Sequence, residues 1–250
     1  MSVRACRTSS QSRPAALTRV DRSVYILTMR SKTRPTGQRA APTFTETARR
    51  AQIVAAAIHT IADLGYGQAS LARIAEAAGT SKGVIIYHFG SRDELIKELV
   101  AELIAKAGAY MRTRIDAEQT GRGRLRAYIE SNLAFIAENR SHVGATVEIA
   151  LNARAADGSR LYGSAYHDMS VASVQKLLVH FQGTGEFPSS FDPLVMALAI
   201  RAAIDSVAPL LARDPGLDAG HYARELADLF LRATSPGESH PAARRQSLEE

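Results

Sequence analysis

The chain contains no tryptophan, a single cysteine and only 6% aromatic residues in 250. One thiol, Cys6, cannot close an internal disulfide, so no oxidised compartment is implied. Few aromatics beside 46% apolar residues, many of them alanine, suit close-packed helices better than a β-sandwich. Long hydrophobic runs are scarce too. The longest candidate, Leu194 to Ile200, stops at Arg201, well short of the ~20 residues that a membrane-spanning helix needs. The arginine-bearing N-terminus lacks the apolar stretch of a secretory signal, so the cytoplasm is the expected compartment and no membrane partner is expected. Catalytic constellations are missing as well. There is no nucleophile elbow, no phosphate-cradling glycine loop and no Cys/His cluster. The seven histidines, at positions 59, 88, 142, 167, 180, 221 and 240, show no metal-ligand spacing. These absences argue against an enzyme, a metal site and a cofactor.

What is present begins with charge. The net charge is +6, but it is unevenly placed. Residues 1–42 hold eight arginines, one lysine and one aspartate and carry +8, which leaves −2 for the remaining 208 residues. This first stretch is rich in Arg, Ser, Thr and Pro without sustained periodicity, and reads as a disordered basic arm. It is either a tether for DNA phosphates or the minor groove, or an extension without function. Met29 offers an alternative start that would shorten it.

The most informative stretch is Ser70 to Leu95. Ser70 can cap a helix whose apolar face is Leu71, Ile74, Ala75 and Ala78. Gly79 then supplies the positive φ of a helix terminus. Thr80 or Ser81 can cap a second helix, Lys82 to His88. The small Ala75 lets the helices cross closely, and Ile85 fills the angle between them. This is the packing pattern of a helix-turn-helix, whose second helix enters the DNA major groove. Lys82 at its start can reach guanine or phosphate, Gly83 leaves room for close approach, and Val84 is expected to face the groove.

Ser81-Lys82-Gly83, then Ile85, Tyr87-His88-Phe89 and Ser91-Arg92-Asp93-Glu94-Leu95 resemble the recognition-helix signature of the TetR/AcrR family of transcriptional regulators. The resemblance covers roughly Thr43 to Leu95. It implies that Tyr87 and His88 lie at the DNA backbone and that Arg92 holds a phosphate. Family members usually carry a tyrosine where this chain has Ile86, which can touch a thymine methyl but cannot donate a hydrogen bond. The expected DNA-binding set is therefore Ser70, Thr80, Ser81, Lys82, Gly83, Val84, Ile86, Tyr87, His88 and Arg92.

Upstream, Thr43 to Glu46 fits a capping box for a helix bearing Ile53, Val54, Ala57, Ile58, Ile61 and Leu64. Arg49 and Arg50 near its start either meet phosphates or form a solvated turn. Downstream, Ser91 to Glu94 fits a second capping box, for a long helix to about Glu118. Gly121 to Gly123 are expected to break the chain. Further helical patterns run from Arg124 to about Asn139, from Ser141 to Leu151, from Leu161 to Phe181, from Pro193 to Leu211 and from Asp218 to Ala233. By the resemblance, the long helix links DNA-reading and effector-binding parts, the middle helices hold a small apolar or amphipathic effector, and the last two helices dimerise. Polar residues on otherwise apolar middle helices are the effector candidates: Asn132, His142, Glu148, Asn152, Tyr162, Tyr166 and His167. The expected dimer face is Leu194, Ala197, Ile204, Val207, Leu211, Tyr222, Leu226, Leu229 and Phe230.

The expected fold is all-α with about nine helices: a basic arm (1–42), a three-helix DNA-binding domain (43–90), a helical effector and dimerisation domain (91–233) and a polar tail (234–250). The expected function is that of a homodimeric regulator binding a pseudo-palindromic double-stranded DNA operator, a repressor released by its effector. An activator of the same family, or a non-specific DNA binder relying on the arm, are the alternatives.

Overall fold

The computed structural model describes residues 43–154, 157–162 and 165–235. The basic arm and most of the C-terminal tail lie outside these residues. Within them the chain is helical throughout: α1 (Phe44–Leu64), α2 (Leu71–Ala77), α3 (Lys82–Phe89), α4 (Arg92–Ala117), α5 (Gly121–Glu138), α6 (Arg140–Asn152), α7 (Ala165–Gly183), α8 (Pro193–Asp205), α9 (Val207–Arg213) and α10 (Ala219–Ala233). The non-helical pairing is one antiparallel bridge, Arg154 with Arg160.

The capping expectations account for most starts. Thr43 and Glu46 form a reciprocal capping box on α1. Ser70, Ser81 and Ser91 each accept a backbone N–H three residues on. The box at Ser91 is only half made, because Glu94 turns to Lys97 at 2.6 Å. Asp192 and Asp218 cap α8 and α10.

Two boundaries depart from the sequence reading. The Gly121–Gly123 segment does not break the chain; α5 begins at Gly121 with Thr120 as its cap. A side chain at Gly121 would bring a Cβ within 2.5 Å of the Phe181 ring, and its N–H donates to Glu186 at 2.6 Å. Glycine is there for close approach to α7, not for a turn. The expected helix from Pro193 to Leu211 is two helices, meeting at Ser206. Pro209 is the cause. It has no N–H for the Asp205 carbonyl four residues back, and its ring crowds that carbonyl. Ten helices result among the described residues, where about nine were expected. Helix α7 also starts at Ala165, four residues later than read.

The buried side chains form two main cores. The first joins Ile53, Ala57 and Ile61 of α1 to Ile74 and Ala75 of α2, Ile85 and Phe89 of α3, and Leu95, Ile96, Leu99 and Val100 of α4. It does not stop at residue 90, since Ala145 and Ile149 from α6 and Ala153 at its C-cap complete it. The second gathers α5 and α7 to α10 around Leu125, Ile129, Leu178, Ile200 and Ile204. A small third cluster, Leu103, Ala107 and Phe135, bridges α4 and α5.

Pro193–Arg213 is, by length and a mean hydropathy of 1.8, apolar enough to cross a membrane, which the sequence reading did not anticipate. That stretch is broken at Ser206 and carries a paired Arg201 and Asp205. Its inward residues fill the second core, while Leu194, Val195 and Leu198 are exposed.

Candidate nucleic-acid interface

The turn between α2 and α3 is built from backbone geometry. Gly79 adopts φ +58°, and its N–H donates to Glu76 O at 3.0 Å. The next N–H, of Thr80, reaches back to Ala75 O at 2.9 Å. These two bonds satisfy carbonyls left open at the end of α2. Gln52 of α1 donates to a third, Ala78 O, at 3.0 Å. Ser81 then caps α3, its hydroxyl accepting from Val84 N at 3.3 Å.

Ile85 and Phe89, four residues apart, pin α3 into the first core. That fixes which face looks outward. Lys82 and Gly83 are exposed at the start, Ile86 is 49% exposed, and Tyr87 is 63% exposed. Exposed aliphatic and aromatic side chains beside a lysine, on a helix whose other face is wholly buried, form a surface that awaits a partner. Of the expected contact residues, Ser70, Ser81, Lys82, Gly83, Ile86 and Tyr87 are on the surface. Thr80 and His88 are half-buried.

Two residues are placed differently from expectation. Val84 does not face outward; it is half-buried and packs on the first core. Arg92 does not offer its guanidinium freely. Its Nε donates to Ala69 O at 3.0 Å, its Nη2 donates to Tyr66 O, and it stacks over the Tyr66 ring at 4.3 Å. It holds the loop between α1 and α2. Arg50, considered for phosphate, is likewise engaged. It donates to both carboxylate oxygens of Glu98 on α4 and to His88 O at the end of α3, and lies 4.4 Å over the Phe89 ring. One side chain thus ties α1, α3 and α4 together, a role that no residue spacing signals.

The effector candidates do not converge on one pocket. Asn132 is buried in the second core; its amide donates to Tyr128 O at 2.7 Å and its carbonyl accepts from Arg201 at 3.2 Å. Arg201 is 4% exposed, reaches the Tyr128 hydroxyl at 3.1 Å and pairs with Asp205, which lies 3.3 Å from His167. Asn132 and His167 therefore share one network, whose centre, Arg201, was missed. An Arg and Asp four apart in an apolar helix was the available signal. Glu148 and Asn152 pair with each other on α6 at 3.0 Å. Tyr162 packs on the first core, where burial pushes its hydroxyl up to about 12. It borders a cleft of about 300 Å3 with Tyr66 and Arg154. His142 borders a second, of about 530 Å3, between α1, α4 and the α5–α6 junction. The side chain of Tyr166 lies outside the described residues.

The dimer-face candidates divide as well. Ala197, Ile204, Val207, Leu211 and Phe230 are buried within the chain's own second core, and Tyr222 and Leu226 are half-buried against it. They are core residues here, because the apolar stripe of each helix was read without knowing which side turns inward. Leu194 and Leu229 are exposed, joined by Val195 and Leu198, which the sequence reading did not include.

Comparison with known proteins matches residues 53–99 to the family described as "Bacterial regulatory proteins, tetR family". The HTH-type transcriptional regulator BetI 1 of Chromohalobacter salexigens is 36% identical over 100 residues, 40% of this chain and 47% of the relative. The BetI of Brucella anthropi is 25% identical over 168 residues, 66% of this chain and 86% of that protein. In its first matches the chain spans about half the length of the curated relatives. Among solved structures, the fatty acid degradation regulator FadR of Bacillus halodurans aligns with TM-score 0.65 at 20% identity, covering 78% of this chain and 97% of that one. FadR of Bacillus subtilis, solved with stearoyl-CoA, aligns with TM-score 0.61 at 21% identity over 72% of this chain and 97% of that one. These likenesses show a common fold, and all four proteins are named as regulators, none as an enzyme. The helix-turn-helix lies inside the segment matched to the tetR family of bacterial regulatory proteins, and the chain shares the all-helical fold of these structures.

Proposed function

We propose that the chain is a homodimeric, sequence-specific DNA-binding regulator, a repressor that a small apolar or amphipathic effector releases from its operator. The observation that carries the reading is α3: Ile85 and Phe89 lock one face into the core while Lys82, Gly83, Ile86 and Tyr87 present the other to solvent. Lys82 supplies a cation for guanine or phosphate, and Ile86 an apolar contact for a thymine methyl. The exposed Leu194, Val195, Leu198 and Leu229 on α8 and α10 support a self-complementary interface. A two-fold dimer sets two α3 helices about one DNA turn, ~34–36 Å, apart. A ligand-bound neighbour of the same fold supports control by an amphipathic effector. The expected compartment is the cytoplasm.

The test is a footprint on the DNA upstream of the chain's own gene, in excess competitor DNA. A protected pseudo-palindrome is expected; absence of protection there and in a selection from random duplexes refutes specific recognition. The +8 charge of residues 1–42, against −2 for the remainder, favours a second reading as a non-specific binder. Deleting residues 1–42 separates the two. Operator binding survives the deletion if α3 reads the sequence, and all binding disappears if the arm supplies the affinity.

A further inference from the structure

The outward face of α3 is short of hydrogen-bonding side chains. The helix runs Lys82-Gly83-Val84-Ile85-Ile86-Tyr87-His88-Phe89, without arginine, asparagine, glutamine, aspartate or glutamate. In the major groove adenine is read by Asn or Gln and cytosine by Asp or Glu, so α3 carries a reader for neither. Ser81 just before it is engaged as a cap, its hydroxyl accepting from Val84 N at 3.3 Å. The guanidiniums near α3 are engaged too, Arg50 on Glu98 and His88 O, and Arg92 on Ala69 O and Tyr66 O. Arg73 of α2 donates to Gln68 at 3.0 Å, and the first helix of such a pair crosses the DNA backbone, not the base edges. On the exposed face of α3 the side-chain donors are Lys82 and the Tyr87 hydroxyl.

The aliphatic part of that face is Ile86, half exposed to water. A helical side chain leans toward the turn before it, so Ile86 leans toward Lys82 and Gly83, four and three residues back. Among the described residues beyond the chain neighbours of Gly83, only Ser81 Oγ, at 3.6 Å, comes within 4 Å of where a Cβ would stand on this glycine. The space beside Ile86 is therefore open. Ile86 is also β-branched and stiff at χ1, so little rotamer freedom is lost when it is covered. An open notch walled by a stiff aliphatic side chain, with a lysine at its edge, suits an apolar group carried on a base edge. The C5-methyl of thymine is that group in the major groove.

We propose that Ile86 is the specificity-determining residue of α3 and that it reads a methyl group. Each operator half-site holds one thymine whose C5-methyl packs on Ile86 in the space beside Gly83. The contact is to the methyl and not to the O4 acceptor, so 5-methylcytosine serves at the same position, while uracil and cytosine bind less tightly. The inference rests on the regulator reading above and deepens it by naming the chemistry of the base that α3 selects. One methyl withdrawn from water is worth about 4-fold in affinity, or about 15-fold over the two half-sites of a dimer.

The experiment uses the full chain and the duplex obtained by selection and footprinting, with affinity read by fluorescence anisotropy at fixed salt. Each thymine of the half-site is replaced in turn by uracil, which keeps the base pairing and removes only the methyl. At one thymine per half-site the replacement is expected to weaken binding about 4-fold, and about 15-fold when it is made in both. With a C·G pair at that position, 5-methylcytosine is expected to bind about 4-fold more tightly per half-site than cytosine. In Ile86→Ala, whose shorter side chain withdraws from the methyl, the uracil penalty falls to within about twofold, and Ile86→Val, which keeps the branch at Cβ, retains it. Both variants keep the wild-type circular dichroism spectrum, because Ile86 lies outside the core. The proposal is overturned if uracil costs less than about twofold at every thymine, if its penalty is unchanged in Ile86→Ala, or if 5-methylcytosine binds no better than cytosine. Failure of the regulator reading is a different result: no duplex is then protected or selected at all, and the proposal falls with it.

Discussion

Gly83→Ala separates what the protein needs from what its partner needs. Gly83 is the second residue of α3. It has no positive φ, and a Cβ there meets only Ser81 Oγ, at an ordinary 3.6 Å. Nothing inside the chain asks for glycine at this position. Alanine in a helix is favoured over glycine by about 0.5–1 kcal/mol. The variant should therefore be more stable, with Tm raised by roughly 1–4 °C for a chain of this size. On DNA the sign reverses. If the first turn of α3 lies against the groove, the added methyl occupies space that the duplex fills, and overpacking costs about 1–3 kcal/mol per contact. At about 1 kcal/mol for each of two α3 helices, affinity falls roughly 30-fold. Calorimetry gives the first quantity and fluorescence anisotropy on the footprinted duplex, at fixed salt, the second. A raised Tm with affinity unchanged within about twofold would refute the placement of α3 in the groove. A lowered Tm would refute the argument that the fold is indifferent to this glycine.

Lys82→Ala should leave the Tm unchanged and make the salt dependence of DNA binding shallower by about 2 for a dimer, near 0.9 per phosphate lost; an unaltered slope places Lys82 off the phosphates. Arg50→Lys should cost about 1–2 kcal/mol in denaturant unfolding, because an ammonium cannot span both Glu98 oxygens and also reach His88 O; wild-type stability would reject the clamp. Leu198→Glu should convert a dimer to monomers in sedimentation with α-helix content retained, and a dimer that persists moves the interface off α8. For His142 the folded pKa is depressed below 6.5, so the folded chain binds fewer protons than the unfolded one in mildly acidic solution. Its contribution is therefore complete above pH 6.5 and is lost as pH falls through the depressed value. His142→Gln should flatten that part of the stability–pH curve, and an identical curve would show that the ring is not buried.

What the sequence made legible was whatever depends on near neighbours. The serine caps of α2, α3 and α4, the turn at Gly79 and the inward Ile85 follow from spacings of three or four residues, and all are where local rules put them. Gly121 illustrates the limit. Its local reading as a breaker is reasonable, yet the reason for glycine is the Phe181 ring sixty residues away. Pro209 was legible, since a proline deep inside the expected Pro193–Leu211 helix removes an N–H from the ladder and crowds the carbonyl four residues behind it. The candidate interface divides in the same way. A helix stripe shows which residues share a face, but not whether that face meets the chain's own core or another molecule. Val84, Ala197, Ile204 and Val207 turned inward for that reason, while Val195 and Leu198, one step round α8, are outward. Charge is harder still. Arg50 and Arg92 are formally as cationic as Lys82, yet each is held by carbonyls or a carboxylate from elements far along the chain. Binding capacity on this surface is therefore not proportional to its basic residues: the guanidiniums hold the helix-turn-helix in shape, and Lys82 is the exposed cation at the start of the helix they position.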